Sequence, residues 1–387
     1  MRILLIGDLN SRFIRDYALH LKSSKLTNLQ TDLFATMTPF DPIHKKCFDN
    51  VYTYPHLKLY KYVQQFRVLI RLVYLFFFIL LKGRKYSCIH IQYVLIDFFA
   101  FSLLFRIMRI QPIVTVFGSD LVKISGTRKR LLRGFLRNIK LITFANPELR
   151  DEICTFYGID PGLSRICRFG LSPLDLIKTL RPQGQEALRT DIGLPEDKII
   201  ICVGNNFNSN QQHLEILSAL AGNQALQIFS DKLHFVFPLT YGNEIKYKEV
   251  IMETLRHFPF SHTIYPEYLD ERANACLRLS CDIMIQLQKK DQLSGAMQEH
   301  LFAGNIVITG GWLPYKVFRD RGIYFREIRG VTEIGDDLVF CLNNLTSEKQ
   351  KCSENSDQIY SMSGWGNTIS DWIELYDEGP VNNLSPQ

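Results

Sequence analysis

The sequence predicts an α/β protein made of two successive doubly wound, Rossmann-like domains. Three observations carry that expectation. Short β-rich runs alternate with helical runs through residues 1–178, the same alternation restarts near residue 198, and a loop-like stretch separates the two series. Parallel strands need a crossover between them, so strand alternating with helix implies a parallel sheet with helices on both faces.

In the first series, "RILLIG" from Arg2 is a strand that stops at Gly7-Asp8, and "DYALHLKSS" is the helix after it. "YSCIHIQYV", "PIVTVFG" and "LITFAN" read as further strands, with helices expected over 61–82, 98–109 and 127–138. His90 falls inside a strand pattern and is expected to be buried structure. "SPLDLIKTLRPQGQ" carries Pro173, Pro182 and Gly184, reads as loop, and places the domain boundary near 180–194. The second series runs "KIIICVGNN" as strand, "QQHLEILSALA" as helix, "LHFVFPLTYGN" as strand and turn, and "YKEVIMETLRHF" as helix. "CDIMIQLQ" is then a strand, 295–303 a helix and "NIVITGG" a strand. The expected division is a first domain over 1–180, a second over 195–345, and a C-terminal segment, 346–387. That last segment contains one amphipathic helix, "GWGNTISDWIEL", and a polar tail.

At 387 residues, 46% hydrophobic and 22% charged, the chain can fill two cores, which excludes a disordered or fibrous class. The nine cysteines form no CxxC pair and no metal-ligand cluster, and no secretory signal is evident. They read as reduced thiols of a cytosolic protein, with no metal and no cofactor expected. Charge is unevenly spread. Residues 1–178 hold 27 Lys and Arg against 12 Asp and Glu, a net +15, whereas residues 179–387 hold 18 against 27, a net −9. A basic half joined to an acidic half implies different partners, and the basic half suits an anionic surface or acceptor.

Two stretches of the basic half bear on those partners. In "FRVLIRLVYLFFFILLKGRKY", residues 66–86, the uninterrupted apolar run covers only 72–81. That is short of the roughly 18 residues a spanning helix needs. It reads as a buried core helix, as a helix lying on a membrane surface with basic flanks, or, last of the three, as a transmembrane span. "FFAFSLLFRIMRI" adds a second apolar and basic segment, with Arg106 and Arg109 on one helical face. Residues 123–140 are strongly basic, and their solvated face could meet anionic lipid or a phosphorylated acceptor. No nucleic-acid-binding module is present, so nucleic acid is not an expected partner.

The stretch that carries chemistry is "DQLSGAMQEHLFAGNIVITGG", residues 291–311. It follows a strand and opens a helix, so it sits at the carboxyl end of a sheet, where such folds bind ligands. Backbone N–H groups around Ser294, Gly295 and Ala296 would leave the helix start unpaired and suit a diphosphate. Glu299, one turn in, can accept hydrogen bonds from two neighbouring hydroxyls, as in a ribose. Asp291 could do the same for a sugar hydroxyl. A structural helix cap and a surface charge are the plain alternatives for these two acids.

Asp291 and Glu299 lie eight apart, and "EHLFAG" runs into "NIVITG". This resembles the donor-binding motif of retaining glycosyltransferases with the GT-B fold, usually two glutamates eight apart, with Asp291 here in the first place. "TVFGSDL" at 115–121 resembles the same superfamily's His-Gly-Ser-Asp loop, with Phe117 replacing the histidine. "NIKLITFANPELRDEI" and "YPEYLDERANACLRLSCDIMI" look like further segments of it, and the set covers most of the chain in the expected order. The superfamily usually places an Arg and a Lys after the first strand of the second domain. Here the loop is "VGNNFNSNQQHLEIL", with Asn205 and Asn210 in those places. That loop and "FPLTYGN" resemble TDP-N-acetylfucosamine:lipid II transferases.

The resemblance implies a GT-B architecture, two Rossmann-like domains facing a cleft, and a metal-independent transferase of hexosyltransferase type. It would move a sugar from a nucleotide-sugar donor to a lipid-linked or polysaccharide acceptor, in the cytoplasm on the inner face of the plasma membrane. Gly204, Asn205, Asn210, Thr240, Tyr241, Asp291, Ser294, Gly295 and Glu299 would then bind the donor. Asp8 and Asp120, near strand ends of the basic domain, are the candidates for a general base, with loop capping as the plain alternative for each. Two other functions share the fold: a nucleotide-sugar epimerase, and a non-catalytic partner in a polysaccharide assembly complex.

Overall fold

The computed structural model describes residues 1–24, 29–56, 64–118, 120–121 and 126–377. The expected polar tail at 378–387 lies outside the described residues, as do the first residues of the helix expected at 61–82. Two compact units divide the chain: residues 1–170 with the segment from Trp365, and residues 171–364.

Among the described residues, the first unit holds seven parallel strands. They are β1 (Arg2–Gly7), β2 (Gln30–Ala35), β3 (Asn50–Tyr52), β4 (Cys88–Gln92), β5 (Ile113–Thr115), β6 (Leu141–Phe144) and β7 (Ser164–Ile166), in the order β3-β2-β1-β4-β5-β6-β7. Successive side chains of a strand point to opposite faces, so the sheet builds two cores. Leu4 and Ile6 of β1 pack with Ile79, Phe105 and Phe135 on one face. Ile3 and Leu5 pack on the other with Tyr17 and with Trp365 and Trp372 of the C-terminal helix Trp365–Asp377. His90 of β4 is fully buried. Its Nδ1 lies 2.6 Å from the Tyr376 hydroxyl of that same helix and its Nε2 2.7 Å from Thr115 Oγ1. Burial pulls its pKa down to about 3.

The second unit holds β8 (Ile199–Val203), β9 (Leu233–Pro238), β10 (His262–Tyr265), β11 (Ile283–Gln286), β12 (Ile306–Gly310) and β13 (Arg326–Ile328) among its described residues. These form a parallel sheet in the order β10-β9-β8-β11-β12-β13. The stretch expected to be a loop after Ser172 is instead a helix, Pro173–Leu180. Proline at its first position costs no hydrogen bond, because that N–H is unpaired in any helix. Leu174, Ile177 and Leu180 recur every three residues and are buried with Cys276, Met297 and Leu301. This packing makes the helix part of the second unit, so the units divide after Gly170 and not within 180–194.

Candidate functional site

In the second unit the chain builds outward from β8 to β9 and β10 on one side, and from β11 to β12 and β13 on the other. Connections therefore diverge between β8 and β11, leaving a crevice at the carboxyl ends of those two strands. Nearly all the residues singled out in the second half lie on the loops leaving β8, β9 and β11 or on the helix that follows β11.

Gly204 ends β8 with φ +65°, and a Cβ there would lie 2.9 Å from His213 Nε2 and 3.0 Å from Gln211 Oε1. Only glycine meets both demands. Asn205 Oδ1 accepts hydrogen bonds from Gln211 Nε2 at 2.5 Å and Asn206 Nδ2 at 3.1 Å. Its own amide nitrogen lies 3.5 Å from the Tyr241 hydroxyl, so the loops after β8 and β9 meet there. Tyr241 is half exposed, Thr240 is partly buried, and the Tyr241 carbonyl accepts from Phe207 N at 3.0 Å. Asn210 is a clasp between loops: its amide donates to Lys290 O at 2.8 Å, and its Oδ1 accepts from Lys290 N at 3.0 Å. Gln212 adds a 2.7 Å bond to Leu287 O.

The helix Gly295–Ala303 begins where expected. Ser294 caps it, Oγ accepting from Met297 N at 3.2 Å. Gly295 has no positive φ, and among the described residues a Cβ there would meet only Leu171, at 3.5 Å, an ordinary contact. Neither backbone nor packing within the protein requires a glycine at this position. Asp291 accepts a short hydrogen bond from the buried Tyr315 hydroxyl. Burial pushes the Asp291 carboxyl up, opposed by that bond and by backbone N–H groups of Gln292 and Ser294.

Glu299 is 8% exposed, and one of its oxygens is already engaged. Oε2 accepts from Arg278 Nε at 2.9 Å and from Asn274 Nδ2 at 3.2 Å. Arg278 is buried too, and its Nη1 reaches His300 Nε2 at 3.0 Å. Burial first, then the positive charges of Arg278 and Lys349, hold His300 well below its usual pKa and hence neutral. Among the described residues no hydrogen bond engages Glu299 Oε1, so the ion pair orients the carboxylate and leaves one oxygen available. Arg278 escaped the sequence reading. Its signal was a charge three residues after Ala275, on the buried stripe of the helix Glu271–Ser280. Tyr315 and Lys290 were also missed. Lys290 is exposed beside the clasp, whereas residues 204–212 carry no Lys or Arg. Nothing in the sequence tied either residue to the site.

The first unit has a separate candidate. A cavity of about 340 Å³ at the carboxyl ends of β1, β2 and β4 is lined by Asp8, Phe13, Thr36, Gln92, Tyr93 and Phe117, among others. Tyr93 adopts φ +75°, a strained conformation for a residue with a side chain and one that concentrates at functional sites. Among the described residues, the buried Gln92 Oε1 has no hydrogen-bond partner. Asp8 accepts from Asn10 N at 2.9 Å. Asp120 sits differently: it is 5% exposed and ties two loops, accepting from Val94 N at 3.0 Å and Phe117 N at 3.2 Å. Burial pushes its carboxyl up, against those backbone bonds. Among the described residues no group of three or more His, Cys, Asp or Glu is placed to hold a metal ion.

No family model matches the chain, and no curated protein matches it. Solved structures do. The chain is similar to HepE of Anabaena in complex with UDP, at 12% identity and a TM-score of 0.72, over 97% of this chain and 100% of that one. It is similar to a glycosyltransferase of Rickettsia africae at 14% identity and a TM-score of 0.75, over 98% and 99%. It is also similar to a UDP-GlcNAc 2-epimerase of Neisseria meningitidis bound to UDP-GlcNAc, at 14% and 0.59, over 97% and 99%. At these identities the likeness shows the fold, and the fold is GT-B.

Proposed function

We propose that the protein is a glycosyltransferase that takes a sugar from a nucleotide-sugar donor bound by the second unit. The observation that carries this reading is the conjunction at 294–299. A capped helix start carries a glycine that packing does not require, and a buried carboxylate one turn on is fixed by an arginine with one oxygen left over. A diphosphate fits the first feature, because unpaired helical N–H groups and the helix dipole favour an anion. A ribose diol fits the second. Asp291, which Tyr315 orients, takes a sugar hydroxyl in this proposal. Lys290 supplies the positive charge that the Asn-rich loop after β8 lacks, and Asn205 and Tyr241 form the other wall.

The reaction breaks the bond between the sugar's anomeric carbon and the diphosphate oxygen and forms one from that carbon to the acceptor's hydroxyl oxygen. The helix N–H groups and Lys290 stabilise the departing charge without a metal. The cavity of the first unit is the acceptor subsite in this reading, and Asp8 on its rim takes the acceptor's hydroxyl proton. Asp120, with its oxygens committed to two loops, positions that cavity. A lipid-linked or glycan acceptor, in cell-surface glycan synthesis on the cytoplasmic side of the plasma membrane, suits the basic charge of this half.

The test is nucleoside diphosphate release from UDP- and TDP-sugars with and without lipid-linked and oligosaccharide acceptors. A transferase releases the diphosphate in step with acceptor consumption. Interconversion of the donor sugar with no acceptor present would instead make the protein an epimerase. Donor binding with neither reaction would leave a non-catalytic partner.

A further inference from the structure

The helix Gln64–Lys82 has two apolar faces where a helix on a soluble domain needs one. Leu75 and Ile79 enter the core, and Arg71 on the same side is buried and paired with Asp97. Leu69, Val73, Phe76, Phe77, Leu80 and Leu81 recur at helical spacing on another side, and all are exposed, Phe77 at 54% and Leu81 at 74%. The next helix, Ser102–Met108, does the same. Leu104, Phe105 and Met108 are buried, whereas Leu103 and Ile107 are 65% and 68% exposed. A shallow groove lined by Leu72, Val73, Phe76, Phe77, Ala100 and Phe101 runs between the first helix and the residues that lead into the second.

Charge decides what this face meets. Lys82 and Arg106 on these two helices, and Arg84, Lys85 and Arg109 just past their ends, are all exposed. From residue 64 to 110 the only acid is Asp97, which the pair with Arg71 neutralises. A second protein chain would be expected to answer some of these charges with polar pairing at the rim. An apolar face whose own segments expose cations and no acid fits a layer whose interior is hydrocarbon and whose surface is anionic. No described helix is long and apolar enough to cross a membrane, so the contact is one of lying on the layer.

We infer that the exposed faces of Gln64–Lys82 and Ser102–Met108 form a docking surface for an anionic lipid bilayer. Aliphatic and aromatic side chains enter the acyl boundary, and Lys82, Arg84, Lys85, Arg106 and Arg109 contact phosphate headgroups. This goes beyond the transferase reading and does not rest on it, since binding is measured without donor or acceptor.

The experiment is flotation of the full chain with vesicles of phosphatidylcholine alone and of phosphatidylcholine with phosphatidylglycerol. The chain should float with the anionic vesicles and stay behind with the neutral ones. Two variants separate the contributions: Leu81→Asp with Ile107→Asp, both exposed positions, and Arg84→Glu with Lys85→Glu. Each should weaken binding at least about tenfold with melting temperature unchanged. Raised salt should weaken binding of the parent chain. Equal flotation with both vesicle types, or anionic flotation that both variants retain, overturns the proposal. So does a concentration-dependent dimer that Leu81→Asp with Ile107→Asp dissolves while no vesicle is bound.

Discussion

At the scale of single residues, the two candidate bases occupy different surroundings. Asp8 lines a cavity and accepts one backbone bond, whereas Asp120 holds the backbone of two loops. Asp8→Asn is therefore expected to lower transfer by about 10²–10⁴-fold while leaving donor binding and melting temperature unchanged. Asp120→Asn should act mainly on stability, costing on the order of 1–3 kcal/mol, because an amide cannot satisfy both loops as the carboxylate does. Parallel turnover and urea-unfolding measurements check both; a larger stability loss at Asp8 than at Asp120 would reverse the assignment. Glycines divide in the same way. Gly204→Ala meets both a left-handed backbone and a 2.9 Å contact, and should cost at least about 1–2 kcal/mol in urea unfolding of the second unit. Gly295→Ala meets neither and should leave stability nearly unchanged.

At the scale of elements, what the sequence revealed depends on where a strand sits in its sheet. β1, β4, β5, β6, β8, β9, β11 and β12 were legible as apolar runs because they are buried on both faces. The four edge strands, β3, β7, β10 and β13, were not, since they have three or four residues and are only partly buried. β2 was also passed over: Asp32 interrupts its apolar run, and the structure pairs that acid with Arg2 at 2.7 Å. The helix at 295–303 was legible to the residue through its cap and its glycines. Its most important contact was not, because Arg278 and Glu299 lie 21 positions apart on different helices. The C-terminal helix was visible as an amphipathic run, but its return to the first unit is long-range packing that no local pattern carries. That packing predicts that Trp372→Ala costs about 3–5 kcal/mol in the first unit, read by urea unfolding. A loss below about 1 kcal/mol would mean that the helix is an appendage.

At the scale of the whole molecule, buried neutral histidines tie stability to pH in both units. His90 in the first and His213 in the second are fully buried, and burial lowers them to about 3 and about 4. A folded-state pKa below the unfolded value of about 6.5 gives stability that is complete above that value and is lost as pH falls through the folded one. Each histidine should therefore remove about 1.4 kcal/mol per pH unit as pH falls below 6.5, seen as falling denaturation midpoints. A flat profile from pH 6.5 to 5 would contradict the burial. The charge division of the sequence also finds its place at this scale. The basic half carries the apolar and cationic face, and the acidic half carries the crevice proposed for the nucleotide.

In the proposed function this crevice binds a nucleotide at the start of the helix Gly295–Ala303. Thermal shift of the full chain with UDP, TDP, GDP and their sugars, on the parent chain and on Gly295→Ala, tests it most directly. A ligand at about 100 times its Kd should add on the order of 2.7 kcal/mol of stability. A shift is expected with one base, and a clearly smaller one in Gly295→Ala, whose unliganded melting temperature matches the parent's. No shift with any nucleotide, or an equal shift in both chains, would contradict it.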